Sequence, residues 1–318
     1  TAGVPRWEYN IGVGAGDTSY SLTISGGWSD CSTQVADPRL TELDAQYQGS
    51  VMYFRLYNSR VASNIHLSNL TLTRGAHNGS NLNGRAAGLS VNAPYSGATV
   101  LFERIIVIAG EAASNSSATG GVEFYGFPFG DRPTFRLRNS IIVFNRAPSI
   151  AGVSVRTNNA IVNLTNNTIH SNTLNSGVSN CGCVGLDLAN AEGGTSYISN
   201  NVVYNNRNSQ NGMYDFVNDS GNSYLRNNHF GTARMLVAPV LESNSSTGDP
   251  GWTIVGIFPI PNVVSPLRNS GYNTPAGGVG SIDIEGNMRV INGTVDRGAL
   301  EADSMLPPDA IFASAFNA

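Results

Sequence analysis

Three carboxylates are spaced so that they could act together. Glu123, Asp187 and Asp215 are each the polar member of a short apolar-polar-apolar segment: Val122-Glu-Phe124, Leu186-Asp-Leu188 and Tyr214-Asp-Phe216. Ser90 and Ser154 hold the same place in two further copies. If the copies stack as neighbouring strands, about 4.8 Å apart, Asp187 and Asp215 stand close to the ~5 Å carboxyl separation of retaining glycosidases. Glu123 and Asp187, two steps apart, would be ~9.6 Å from each other, at the edge of the inverting range. Tyr125 and Arg156 lie beside this row and could contact a sugar ring or a uronate group. The chemistry so assembled would be cleavage of a polysaccharide by a hydrolase or lyase.

The plainer reading is a row of solvated polar side chains on the outside of a sheet, and it is the one preferred. The dense Asp/Lys/Arg sets that mark β-helix pectate lyases and polygalacturonases are missing. There is no Asn-Thr-Asp, no Gly-His-Gly and no Lys anywhere in the chain. The four histidines, His66, His77, His170 and His229, are scattered. No cofactor is expected, and no metal site is assigned. Cys181-Gly-Cys183 lacks His and further Cys at zinc-ligand spacing. Calcium is the open alternative, since Asp187 and Asp215 could share an ion with backbone carbonyls.

What must position these residues is a repeat. Gly88-Leu-Ser-Val, Gly121-Val-Glu-Phe, Gly152-Val-Ser-Val and Gly185-Leu-Asp-Leu recur at steps of 33, 31 and 33 residues. Tyr214-Asp-Phe is a weaker fifth copy. A second series falls half a period later: Arg104-Ile-Ile-Val-Ile, Asn139-Ser-Ile-Ile-Val-Phe, Asn167-Thr-Ile-His, Asn201-Val-Val-Tyr and Asn228-His-Phe. Two interleaved series of one period mark a repeat architecture. Each unit is short, β-type and too small to hide its own apolar face, so stacking must bury a continuous core. The expectation is an all-β, right-handed parallel β-helix with irregular N- and C-terminal caps, handedness following the bias of parallel crossovers.

Alternation then points Leu89, Val91, Val122, Phe124, Val153, Val155, Leu186 and Leu188 inward, and Ser90, Glu123, Ser154 and Asp187 outward. Asn166-Asn167, Asn200-Asn201 and Asn227-Asn228 share one phase, with Asn69 and Asn139 close to it. Asn tolerates left-handed backbone and suits the bend between strands. Its amides can also bond along a stack.

Composition agrees. Charged residues make up 13% of 318, about half of ordinary usage, and all 18 basic residues are Arg. A net charge of −4 leaves no nucleic-acid footprint. No run of 18 apolar residues is present, so no transmembrane helix is expected. Residues 1–50 read as an N-terminal cap and first rungs, 51–230 as the β-helix rungs, 231–303 as an irregular C-terminal cap and 304–318 as a strand-like tail.

The stretch Asp283-Ile-Glu-Gly-Asn-Met-Arg289 through Asp296-Arg-Gly-Ala-Leu-Glu301 resembles the C-terminal signature of bacterial exported right-handed β-helix proteins with a choice-of-anchor domain. Ser265-Pro-Leu-Arg-Asn-Ser-Gly271 and Gly26-Gly-Trp-Ser-Asp-Cys31 are similar to other elements of that group. The group's runs of three Gly are reduced here to Gly120-Gly121 or one Gly. The resemblance implies the fold and export after removal of a signal peptide, to the cell surface or beyond. It implies no activity. Read physically, the signature is a structural cap in which Arg289 can bridge Asp283, Asp296 or Glu301.

One disulfide, Cys31 with Cys181 or Cys183, suits an exported protein. The tail carries Ile311, Phe312 and Phe316 and no charge after Asp309. It could fold onto its own solenoid or add a strand to a neighbour. Two functional readings follow: a structural or adhesive exported protein that assembles with itself end to end into filaments, or a polysaccharide-binding or -degrading β-helix protein.

Overall fold

In the computed structural model the chain winds as a parallel β-helix whose rungs stack along three sheets. The structure describes residues 7–11, 21–30, 32–56, 63–77, 86–93, 97–113, 118–126, 131–175, 183–191, 193–207 and 213–302, the first of these by backbone alone. The Gly-led segments form an eight-stranded sheet running from Trp7–Ile11 to Ala233–Met235. Over the four Gly-led copies its register is the expected one: Val122 lies opposite Leu89 and Val153, and Val153 opposite Leu186. The leading glycines permit close stacking. A Cβ on Gly121 would fall 2.4 Å from the carbonyl oxygen of Gly152 and 2.7 Å from Ile142.

The second series belongs to a fourteen-stranded sheet that bends once per rung. The long strands Asn64–Thr73 and Thr99–Ile108 cross the bend. In later rungs it separates pairs such as Thr134–Arg138 and Ile141–Val143, or Ile161–Thr165 and Thr168–His170. One residue per rung takes positive φ there: Asn69, Arg104, Asn139, Asn166, Asn200, Asn227 and Asn244, between 50° and 59°. A short polar side chain lowers the cost of that left-handed turn, which is why the asparagines keep phase. A second corner, leading to a four-stranded sheet, uses Arg74, Ala109, Phe144, Ser171 and Asn205 in the same conformation.

Inside the turn, the second asparagine of each doublet stacks. Asn167 Nδ2 donates to Asn201 Oδ1 at 2.9 Å and Asn201 Nδ2 to Asn228 Oδ1 at 3.1 Å. Beneath the second corner, Asn145 donates to Asn172 at 2.9 Å and Asn172 to Asn206 at 2.8 Å. All of these are buried, and backbone carbonyls accept their remaining amide protons. Between the ladders lies one apolar core, with Phe54, Phe102, Phe124 and Phe135 in a column whose ring centroids are 5.1–5.9 Å apart.

The solenoid continues past Phe230. Ala233–Met235, Leu241–Ser243 and Ser246–Thr247 add one more short rung. The following segment is not a lid on the end, as expected for 231–303, but a cover on the flank. The hairpin Trp252–Val255 and Phe258–Pro261, with the irregular strap 262–302, packs on Ile106, Ile141 and Val143. Those three side chains point out of the solenoid, and an apolar row of that length must be covered. The strap reaches the N-terminal 3-10 turn Pro38–Leu40, where Arg39 lies 3.7 Å from Glu285 and over the ring of Phe258. No helix among the described residues is long and apolar enough to cross a membrane.

Candidate functional site

The outer face of the eight-stranded sheet carries two of the three carboxylates singled out above, Glu123 and Asp187. Glu123, Ser154 and Asp187 stack in one ladder and Tyr125 and Arg156 in the next. The ladder is not solvated. Ser90, Glu123 and Ser154 are at most 1% exposed and Asp187 is 5% exposed. Arg156 Nε lies 3.7 Å from Asp187 Oδ2. Burial pushes the Asp187 carboxyl up to about 6, against the pull of Arg156 and with the help of Asp219.

Asp215 is not on this face. Its segment enters the sheet with a register shift, Cys183 opposite Tyr214 but Leu186 opposite Phe216, so Val217 and not Asp215 stands beside Asp187. The side chain of Asp215 instead ends the second amide ladder. Oδ1 accepts from Asn206 Nδ2 at 2.9 Å and from Asn206 N at 2.7 Å, and Oδ2 accepts from Thr232 N at 3.0 Å. Burial raises its pKa. The close Asp187/Asp215 pair, and with it the shared calcium site drawn from them, is therefore not assembled. Among the described residues no three His, Cys, Asp or Glu converge as metal ligands. The Cys183 thiol is buried, 4.0 Å from the Asp215 carbonyl oxygen. Cys31 and Cys181, and with them the disulfide, lie outside the described residues, as do Ile311, Phe312 and Phe316 of the tail.

The cluster in the strap is buried and bonds largely to main chain. Arg289 has no exposure; its Nη2 donates to the carbonyls of Asp296 and Gly298 at 3.0 and 3.1 Å and lies 3.6 Å from Glu301 Oε2. The expected bridge is thus to main chain first and to one carboxylate second. Asp283 accepts from the amides of Glu285, Asn287 and Glu301, and Asp296 from those of Asn269 and Ala302. Burial drives Glu301 up to about 8 despite Arg289. These contacts close the strap's own loops. The first asparagine of each doublet then ties the strap to the solenoid. Asn166 donates to Asp296 O, Asn200 to Tyr272 O and Asn227 to Ser270 O, each at 2.8–2.9 Å, while Asn139 donates to Val279 O at 2.8 Å.

Where the strap crosses the fourteen-stranded sheet it leaves a cleft of about 220 Å³ that the sequence reading missed. Tyr197 and Tyr224 stand on neighbouring strands and stack, centroids 5.1 Å apart and planes at 20°. Arg226 and Ser199 are two positions further along the same strands, and Tyr272, Thr274, Pro275 and Ala276 form the strap wall. Arg226 lies over the Tyr272 ring, 5.0 Å from its centroid. The signal was the pair Tyr197 and Tyr224 at repeat spacing on outward positions. Comparison with known proteins finds no matching family model, no matching curated protein and no matching solved structure.

Proposed function

We propose that this chain is an exported structural β-helix protein whose copies associate end to end, giving a filamentous or adhesive surface assembly. The observation that carries the reading is the last rung. Among the described residues no strand follows Ala233–Met235 in its sheet, and Leu236, Val237 and Val240 on the adjoining turn are 48, 38 and 57% exposed. An open strand edge beside apolar side chains favours strand addition. The segment that could have capped this end runs along the flank instead. A head-to-tail contact of this kind does not close on itself and propagates. The resemblance of 265–301 to the choice-of-anchor signature supports export from a bacterium. Burial of Glu123 and Asp187 and diversion of Asp215 weigh against a cleavage reaction on the outer face.

The test is assembly of the full chain, followed by sedimentation and electron microscopy, against Val240→Lys and against deletion of 307–318. Assemblies that lengthen with concentration are expected, with Val240→Lys shortening or abolishing them. If the full chain stays monomeric at high concentration, or Val240→Lys assembles as well as the parent, the reading fails. Loss of assembly on deleting 307–318 alone would place the contact in the tail.

A further inference from the structure

We infer that the cleft between Tyr197, Tyr224 and the strap binds a carboxylated sugar ring, a hexuronate unit of an acidic polysaccharide. Two arginines stand on one outward ladder. Glu103, Arg138, Thr165, Ser199 and Arg226 follow one another rung by rung. Arg138 is neutralised: its guanidinium pairs with Glu103, which burial would raise but which His66, Arg138 and Arg104 hold down at about 2. Arg226 has no such partner. Among the described residues it makes no ion pair, and its guanidinium rests on Tyr272 at the cleft wall. An arginine held by an aromatic ring keeps its fork of donors oriented, and that fork matches a carboxylate.

The tyrosines point the same way. Tyr197 and Tyr224 stack at nearly one strand spacing, so their faces look along the solenoid and their edges line the cleft. Ring edges carry the positive end of the aromatic quadrupole, which suits an anion better than the broad apolar face of a neutral sugar. Among the described residues neither phenol hydroxyl makes a hydrogen bond within the protein, and Thr274 and Ser199 add two more hydroxyls at the same cleft. The ligand that answers this set bears one carboxylate and several hydroxyls on a single ring. A volume of about 220 Å³ admits one such ring and falls short of the roughly 300–1,000 Å³ typical of drug-sized ligands. The cleft opens on the flank of the solenoid and not at its ends, so ligand binding does not depend on assembly.

The test is calorimetric titration of the dispersed full chain with an oligogalacturonate, a neutral glucose oligomer of equal length, and sodium acetate. Saturable binding to the acidic oligomer is expected, absent for the neutral one and far weaker for acetate. Arg226→Gln should weaken it about tenfold or more, as loss of a charge-assisted bond does, while Arg226→Lys retains part of it and Tyr224→Phe loses a smaller part. Melting curves check that the variants fold. Should Arg226→Gln not fold, the last two variants decide alone, and both must bind more weakly than the parent. Absence of saturable binding, equal affinity for the neutral oligomer, acetate competing at oligomer concentrations, or variants that bind like the parent would overturn the assignment.

Discussion

Two outward faces of this solenoid carry polar side chains at the same strand period and end in opposite states. On the eight-stranded sheet, Glu123, Ser154 and Asp187 are covered, and Asp187 leans on Arg156. On the fourteen-stranded sheet, Tyr197, Tyr224 and Arg226 remain partly open in a cleft that a later part of the chain builds. Alternation along a strand tells inside from outside of the solenoid. It does not tell which outside will be roofed. A carboxylate buried on the outside is withdrawn from ligands, whereas a cationic side chain beside a cleft is available to one. The strap builds the open cleft on the second face, and breaking it tests the contrast most severely.

Arg289→Ala should have the largest effect. It removes a fully buried cation from among Asp283, Asp296 and Glu301, and breaking a buried pair from one side costs about 3–5 kcal/mol. Because a solenoid can open locally, the loss should stay within the strap. Amide exchange at Arg297 and Gly298, which bond to Leu267 O and Asn200 O, should accelerate about a hundredfold or more at 1.4 kcal/mol per decade. Exchange in Val122–Gly126 and Val153–Asn158 should not change. Equal acceleration in both regions would mean that strap and solenoid are one cooperative unit and that the division between the two faces is false.

Asn172→Ala probes the solenoid itself. The side chain accepts from Asn145 N and Nδ2 and donates to Ile142 O, His170 O and Asn206 Oδ1. Deleting it leaves buried donors and acceptors unmatched, a loss of about 2–3 kcal/mol. Urea unfolding followed by circular dichroism should show a lower midpoint, with strap exchange affected less than in Arg289→Ala. An unchanged midpoint would reduce the inner amide ladder to a packing feature.

The repeat, the inward set and the asparagine phase were legible because each rests on a local rule repeated many times. Val122 and Val153 are in register, and Asn166, Asn200 and Asn227 are left-handed. Single events were not legible. The shift before Phe216 hides in a step of 30 residues from Leu186, shorter than the others, and in the missing Gly ahead of Asp215. Phe144 and Ala109 adopt left-handed backbone without a side chain that favours it, because the solenoid imposes the corner they occupy. The flank cover had a signal that went unread. Ile106, Ile141 and Val143 continue apolar runs through outward positions, and a strand apolar on both faces is buried on both. Nothing local says that the strap supplies the cover, so the Tyr272 side of the cleft was out of reach.

Asp187→Asn bears directly on the carboxylate face. Desolvation holds the Asp187 carboxyl near 6, from an ordinary 3.8. The folded state therefore keeps its proton more tightly than the unfolded one. Linkage then requires that stability falls as pH rises from about 4 to about 6 and is level, at its lower value, above that. The neutral amide removes this slope. The Arg156 contact is already contained in that shift, so the variant should match the parent near pH 4 and gain up to about 3 kcal/mol over it by pH 8. Other groups tilt the same profile: lowering of His170 to about 4 makes stability fall as pH drops below about 6.5, in the opposite sense. The informative quantity is therefore the difference between parent and variant at each pH. A difference that grows from pH 4 to pH 6 and then holds identifies Asp187 as a buried, structurally taxed carboxylate. A difference independent of pH would mean that Asp187 is ionised and solvated throughout, and would return the Glu123/Asp187 ladder to the ranks of open, chemically available faces.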